Sequence, residues 1–234
     1  MPRFLIALAT YNERENLTIL TEQIFDCMPD VHILVVDDSS PDGTSTWVEE
    51  QMQHDARFKL IRRTGKLGLG SAILAAMEYA VQHDYDYLIN MDADLSHPAR
   101  YLTDIRTKAE EGFDVVIGSR YVPGGNIIGW PWHRRMMSKA VNVYARWLLG
   151  LKTLDNSGSF RCYRVAPLRR LGQGVMLSRG YSFFEEVLYR LRQLDCTFTE
   201  VPITFEERRV GHSKLNVREI VIALWLLLRI GLVR

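Results

Sequence analysis

The sequence predicts an α/β protein built on a mostly parallel central sheet flanked by helices. Two observations lead there. Short aliphatic runs alternate with stretches of helical spacing, and strands alternating with helices of that length form a parallel sheet covered on both faces. Several of the apolar runs also end abruptly in carboxylates and small polar residues, as strands do where an open α/β sheet binds ligands at its carboxyl edge.

Taken in order, Phe4 to Ala9 reads as the first strand. Glu15 to Met28 follows, with Leu17, Leu20, Ile24 and Met28 at helical spacing. Val31 to Val36 is a buried strand running into Asp37-Asp38. A helix over Ser45 to Gln53, a strand over Phe58 to Ile61 and a helix over Ser71 to His83 come next. The apolar strand Tyr87 to Met91 then meets Asp92-Ala93-Asp94, and Pro98 suits the first turn of a helix over Ala99 to Glu111. Val115 to Gly118 is a further strand. Beyond it, Pro123-Gly-Gly125, Gly129 and Trp130-Pro-Trp132 mark a glycine-rich loop between aromatics, followed by His133-Arg134-Arg135 and a helical segment over Met136 to Leu149. Tyr181 to Leu194 reads as a helix and Thr197 to Glu206 as a strand. No repeat or low-complexity linker divides the chain. A single domain over residues 1–215 is expected, with a C-terminal apolar helix over 216–234.

Composition narrows the function classes. The 234 residues are 47% hydrophobic and 24% charged, an ordinary globular balance with a sizeable core. A formal net charge of +1 gives no footprint for nucleic acid. Cys27, Cys162 and Cys196 make an odd set without CxxC spacing, which argues against a disulfide framework or a zinc site and for a cytoplasmic location.

Three polar clusters fall on one sheet edge: Thr10-Tyr11-Asn12-Glu13, Asp37-Asp38-Ser39-Ser40-Pro41-Asp42-Gly43-Thr44, and Asp92-Ala93-Asp94. Singly, each serves as a turn or helix cap, with Thr44 an expected N-cap. Together they crowd carboxylates that repel unless a cation lies among them. Hard oxygen ligands suit Mg²⁺ or Mn²⁺, which complete their shells with water and substrate phosphates. Gly65-Lys66-Leu67-Gly68-Leu69-Gly70-Ser71 lacks the Gly-Lys-Ser/Thr ending of a phosphate-cradling P-loop and reads as a tight helix start, with Lys66 available to a phosphate or to Asp38. Glu186, four residues before Arg190, fits an exposed helix pair as well as a catalytic acid or base.

The runs Thr10-Tyr-Asn-Glu13, Val36-Asp-Asp-Ser-Ser-Pro-Asp-Gly-Thr44, Lys66-Leu-Gly-Leu-Gly70, Asp92-Ala-Asp-Leu-Ser-His-Pro98 and Gly118-Ser-Arg-Tyr121, continued by Asp155-Asn-Ser-Gly-Ser-Phe-Arg161 and Gly211-His-Ser-Lys-Leu215, resemble the polyprenol-phosphate (dolichol-phosphate) mannosyltransferases, inverting glycosyltransferases of the GT-A, Rossmann-like fold. The resemblance spans nearly the whole chain. It implies a nucleotide-sugar half over residues 1–121 and an acceptor half over 122–215. It further implies that Ala9, Tyr11, Glu13, Val36, Asp38, Asp92, Ala93, Asp94, Arg120, Arg208 and Lys214 surround the nucleotide sugar, that Asp92 and Asp94 hold the metal, and that Asp94 and Arg120 act in catalysis. Ala9 stands where the family often has proline, and Ser96 where some relatives have glutamine. The implied reaction moves mannose from GDP-mannose to a polyprenyl phosphate. UDP-glucose is the alternative donor; a nucleotidyltransferase or a non-catalytic nucleotide-sugar-binding subunit are the alternatives from other classes.

The C-terminal run from Ile220 to Leu228 is broken by Arg229. Extended to Val233 it makes roughly 20 Å of helix, short of a hydrocarbon core of about 30 Å. Such a helix is expected to lie in a membrane interface on the cytoplasmic face, or to pack on a small membrane-protein partner or on its own sheet.

Overall fold

The computed structural model describes residues 1–171, 176–178, 180, 182–207 and 225–230. The expected alternation is present: β1 (Phe4–Thr10), α1 (Arg14–Cys27), β2 (His32–Asp37), α2 (Thr44–His54), β3 (Phe58–Arg62), α3 (Leu69–Gln82), β4 (Tyr87–Asp92), a 3₁₀ turn (Ala99–Tyr101) leading into α4 (Leu102–Glu110), and β5 (Val115–Ser119). The second half adds β6 (Asn126–Ile128), α5 (Trp132–Leu149), β7 (Arg161–Arg164), α6 (Val165–Leu171), α7 (Phe183–Gln193), β8 (Phe198–Pro202) and β9 (Thr204–Glu206). The main sheet has the order β3-β2-β1-β4-β7-β5-β8. Every pairing in it is parallel except those of β7, which runs antiparallel to both β4 and β5.

Strand alternation splits the core in two. Leu5 and Ala7 of β1 face one cluster, whereas Phe4, Ile6 and Leu8 face the other, the period-two pattern of a sheet buried on both sides. α1, α2 and α4 cover the second cluster through residues such as Leu17, Val48 and Ile105. The first is covered by α3, α6, α7 and the inner face of α5.

Three elements differ from expectation. β7 was hidden in the sequence because Arg161-Cys-Tyr-Arg164 begins and ends in a charge; Arg161 is nevertheless fully buried, donating to the carbonyls of Phe184 (2.9 Å) and Asn156 (2.5 Å). The expected strand over Thr197–Glu206 is two strands, and Pro202, which has no N–H to offer a ladder, ends the first. The second pairs with β6 in a separate parallel ribbon, so the glycine-rich segment is built structure, not a loose loop. Gly125 makes this possible: a Cβ there would stand 2.6 Å from the Ser119 carbonyl oxygen and 2.7 Å from the Arg120 carbonyl carbon. Of the expected C-terminal helix, residues 225–230 are described and are helical. Leu227 and Ile230 are buried in the first core cluster, while Trp225 and Leu228 are exposed.

Candidate active site

Parallel register brings the three polar clusters together. Ala9 lies opposite both Val36 on β2 and Asp92 on β4, so these three expected binding positions form one row across adjacent strands. The loops beyond are tied to each other: Asn12 N–H donates to Ser40 Oγ at 2.9 Å, Arg14 N–H to Asp42 Oδ2 at 3.1 Å, and Asp38 N–H to the Thr10 carbonyl at 3.1 Å. Asn12, Ser39 and Leu95, one in each loop, have φ of 61°, 57° and 64°. Left-handed backbone at non-glycine residues costs free energy and concentrates at functional sites.

Asp37 is the internal brace of this edge. Burial would push its carboxyl up, but hydrogen bonds from Ser40, Ser45 and Thr10 outweigh that and hold it below the usual carboxylate range. Asp38, in contrast, is pushed up by burial in spite of an Arg63 guanidinium 3.1 Å away. Arg63, not Lys66, is thus the close cation of Asp38; Lys66 Nζ sits over the Tyr11 ring, 3.3 Å from its centroid. Glu13 Oε2 accepts from Asn16 Nδ2 at 2.7 Å. Val36 and Ala93 bury their side chains in the core, which leaves their backbones for the site. The cap of α2 also differs from expectation: Asp42 Oδ1 accepts from both the N–H and hydroxyl of Thr44, at 3.0 and 2.6 Å.

Asp92 and Asp94 emerge at the end of β4. Asp92 Oδ1 accepts from Ser159 Oγ at 2.8 Å, and Asp94 Oδ1 from the Ser96 N–H at 3.1 Å. His97 is buried with Nδ1 accepting the Asp92 N–H at 3.1 Å, and burial holds its pKa below the ordinary value. It is therefore a neutral brace whose Nδ1 is not available to a cation. Among the described residues no group of three or more metal-ligating side chains occurs. Two hard carboxylates would suit a Mg²⁺ or Mn²⁺ ion, a class of ion that usually completes its shell with water and phosphate oxygens.

Arg120 leads away from this pair. It is buried, and Asp155, fully buried itself, accepts from its backbone N–H at 3.0 Å, from Nε at 2.7 Å and from Nη2 at 2.7 Å. Burial alone would lower the Arg120 pKa and raise that of Asp155; their contact reverses both, so the pair stays ionised. The loop around Asp155 is a hub. Ser157 Oγ accepts from Arg120 Nη2 and from Asn142 Nδ2 of α5, both at 3.1 Å, and Ser159 reaches Asp92. Asn142 Oδ1 accepts the N–H groups of Asn156 and Ser157. None of these roles was assigned from sequence; a run of Asp, Asn, Ser and Gly before a strand is a turn signal and gives no partner.

Beyond Arg120 opens a cleft of about 570 Å³ between the β6 ribbon and α5. Arg120, Arg135, Lys139 and Arg146 line it together with Trp132, Ile127 and other uncharged residues, and no carboxylate is among the described residues of its lining. On α7, Glu186 is not the exposed pair the sequence allowed. It is fully buried, binds Arg190 at 2.6 Å, and accepts the N–H groups of Leu177 and Ser178. Arg208 and Lys214 lie outside the described residues.

A mostly parallel sheet with a carboxylate pair at its carboxyl edge and a basic cleft beside it is the architecture of a GT-A-type glycosyltransferase fold. The chain belongs to Glycosyl transferase family 2, the profile of which matches residues 5–172. It is 42% identical over 221 residues to the polyprenol monophosphomannose synthase of Mycolicibacterium smegmatis, covering 93% of this chain and 83% of that protein. It is 40% identical over 214 residues to the undecaprenyl-phosphate mannosyltransferase of Micrococcus luteus, covering 92% and 88%. Among solved structures, glucosyl-3-phosphoglycerate synthase from Mycobacterium tuberculosis, in complex with Mn²⁺, UDP and phosphoglyceric acid, matches with a TM-score of 0.69 at 15% identity, over 99% of this chain and 78% of that one. A mannosyltransferase from Pyrobaculum calidifontis, in complex with GDP-mannose and Mn²⁺, matches with a TM-score of 0.60 at 14% identity, over 99% and 73%.

Proposed function

We propose that the protein transfers mannose from GDP-mannose to a polyprenyl phosphate at a membrane surface, with inversion at the sugar's C1. The observation that carries this reading is the cleft beyond Arg120, cationic and apolar, with no carboxylate among the described residues that line it, as suits a phosphate on a greasy chain. The names of the two mannosyltransferase relatives point the same way, and the GDP-mannose complex of a fold neighbour supports the donor.

In this reading Ala9, Tyr11, Glu13, Val36 and Asp38 hold the nucleoside, and Asp92, Ala93 and Asp94 face the diphosphate. Asp92 and Asp94 would hold a Mg²⁺ or Mn²⁺ ion, which would supply positive charge where the diphosphate leaves. The acceptor needs no general base, because a phosphate monoester with a second pKa of about 6 is already anionic. That suits a site in which Glu186 is wholly engaged by Arg190 and backbone N–H groups. One phosphate oxygen attacks C1 from the face opposite the leaving group; the new C1–O bond forms as the bond to GDP breaks, giving a β-linked sugar phosphate from an α-linked donor. Two anions must meet for this, and Arg120, with Arg208 and Lys214, offsets their repulsion.

The test is transfer of labelled sugar to a short polyprenyl phosphate with Mn²⁺ or Mg²⁺, offering GDP-mannose and UDP-glucose separately. Metal-dependent transfer from GDP-mannose, abolished in Asp94→Ala, is expected. Transfer from UDP-glucose alone replaces the sugar, and a retained anomer sinks the mechanism.

A further inference from the structure

The loop before β7 carries a hydroxyl whose direction is dictated by its neighbours. Ser157 Oγ accepts from Arg120 Nη2 and from Asn142 Nδ2, both at 3.1 Å. A guanidinium has only donors. The Asn142 amide is fixed as well, because its Oδ1 meets two backbone N–H groups, those of Asn156 at 2.6 Å and Ser157 at 3.3 Å, which only an oxygen can accept. Its Nδ2 must then face Ser157 Oγ and the Ser138 carbonyl, the latter at 2.9 Å. A hydroxyl oxygen has two lone pairs and one proton. Both lone pairs of Ser157 are taken, so its proton is turned away from Arg120 and α5, and no described residue accepts it.

That proton has a way out of the loop. From Asp155 to Phe160 every residue is buried except Ser157, which is half-buried. Arg120 is presented in the same manner. Asp155 engages Nε and Nη2, and Ser157 engages Nη2 again, which leaves the two N–H groups of Nη1 without a partner among the described residues. Arg120 and Asn142 both line the cationic cleft, while Ser159, two residues after Ser157, holds Asp92 Oδ1. The loop therefore touches the carboxylate pair on one side and the cleft on the other.

We infer that Ser157 is a substrate-binding residue: its hydroxyl donates to an oxygen of the phosphate held by Arg120 Nη1, the two forming a preset donor fork at the Arg120 end of the cleft. An anionic phosphate oxygen only accepts, so a fork of donors suits it; a sugar hydroxyl acting as nucleophile would need an acceptor at the same place. Because the proton is aimed before the ligand arrives, binding it costs no reorientation. The identity of the ligand as a polyprenyl phosphate rests on the lipid-acceptor reading. The hydroxyl is not needed to satisfy its own neighbours: without it Arg120 Nη2 keeps Asp155 Oδ1 at 2.7 Å and Asn142 Nδ2 keeps the Ser138 carbonyl.

Two measurements on the full chain test this. In the first, initial rates of mannose transfer to a short polyprenyl phosphate are recorded with each substrate varied in turn. Ser157→Ala should lower kcat/KM for the acceptor by about tenfold or more, the loss of one hydrogen bond to a charged group. The KM for GDP-mannose should stay within about twofold of wild type, a split that a general loosening of the fold does not produce. Ser157→Thr keeps the hydroxyl and should restore the acceptor term. In the second, inorganic phosphate is titrated without metal or donor while the side-chain Nε–H signal of Arg120 is followed by nuclear magnetic resonance. Wild type and Ser157→Thr are expected to bind, and Ser157→Ala about tenfold more weakly. Phosphate binding that depends on the Ser157 hydroxyl, in a chain that transfers nothing to polyprenyl phosphate, supports the fork and overturns the lipid-acceptor reading. Active transfer with Ser157→Ala matching wild type in both measurements overturns the fork and leaves that reading standing. An Arg120 signal that does not respond to phosphate in the wild-type chain also overturns the fork.

Discussion

Asp155→Asn tests the central inference about how the site is held. Asp155 accepts four hydrogen bonds, two on each oxygen: Arg120 N and Nε on Oδ2, Arg120 Nη2 and Gly158 N on Oδ1, at 2.7–3.0 Å. Asparagine keeps the shape but turns one acceptor into an N–H donor, so two of the four donors face another donor. The nearly buried Arg120 also loses its counter-ion. Breaking one partner of a buried ion pair costs about 3–5 kcal/mol. With a urea slope of about 3 kcal/mol/M for a chain of this size, the unfolding midpoint should fall by about 1–1.7 M. Arg120→Gln added to Asp155→Asn should recover part of the loss, because the double variant buries no unpaired charge. The pH sign follows from the depressed Asp155 carboxyl. Its contribution is present above the unfolded carboxylate pKa and fades as pH falls through the lower folded value, so wild type and Asp155→Asn should converge in acid. Far-UV circular dichroism during urea titration measures all of this. A midpoint unchanged within about 0.2 M at neutral pH refutes the reasoning.

Two further outcomes follow from the same geometry. Ser159→Ala removes the hydroxyl that fixes Asp92 Oδ1 and should weaken Mn²⁺ binding by about fivefold, on the order of one hydrogen bond, with unfolding midpoints little changed; isothermal titration checks it, and unchanged affinity means the carboxylate is oriented by other contacts. Glu185 is buried with its carboxyl pushed up to about 7, mainly by burial; the folded state then holds a proton the unfolded chain has released, so stability should decline as pH rises from about 4.5 to 7, and Glu185→Gln should flatten that decline in urea midpoints measured across the range.

How much was legible beforehand depends on how local the signal is. The strands from Phe4 to Gly118 show as apolar runs, and their carboxyl ends show as polar clusters, because burial on both faces and ligand binding at one edge leave marks on consecutive residues. Asp92 and Asp94 stand out for the same reason. β7 did not, because two arginines mask a strand whose burial depends on carbonyl partners from Asn156 and α7. The C-terminal run is the longest apolar stretch in the sequence, and its described turn buries Leu227 and Ile230 yet leaves Trp225 exposed, while α5 leaves Trp132 and Trp147 outside. Hydrophobicity marks a residue as wanting cover; it does not say whether the protein itself supplies that cover.

The sequence by itself therefore determined the α/β alternation, the edge on which the polar clusters gather and the paired carboxylates. Tertiary structure alone decided that Arg63 takes Asp38, that Asp155 takes Arg120 and that Ser159 takes Asp92. The reason is physical: periodicity and turn chemistry act between neighbours along the chain, whereas an ion pair or hydrogen bond is chosen by what the sheet order places within reach, and Ser159 arrives beside Asp92 only because an antiparallel strand inserts between β4 and β5.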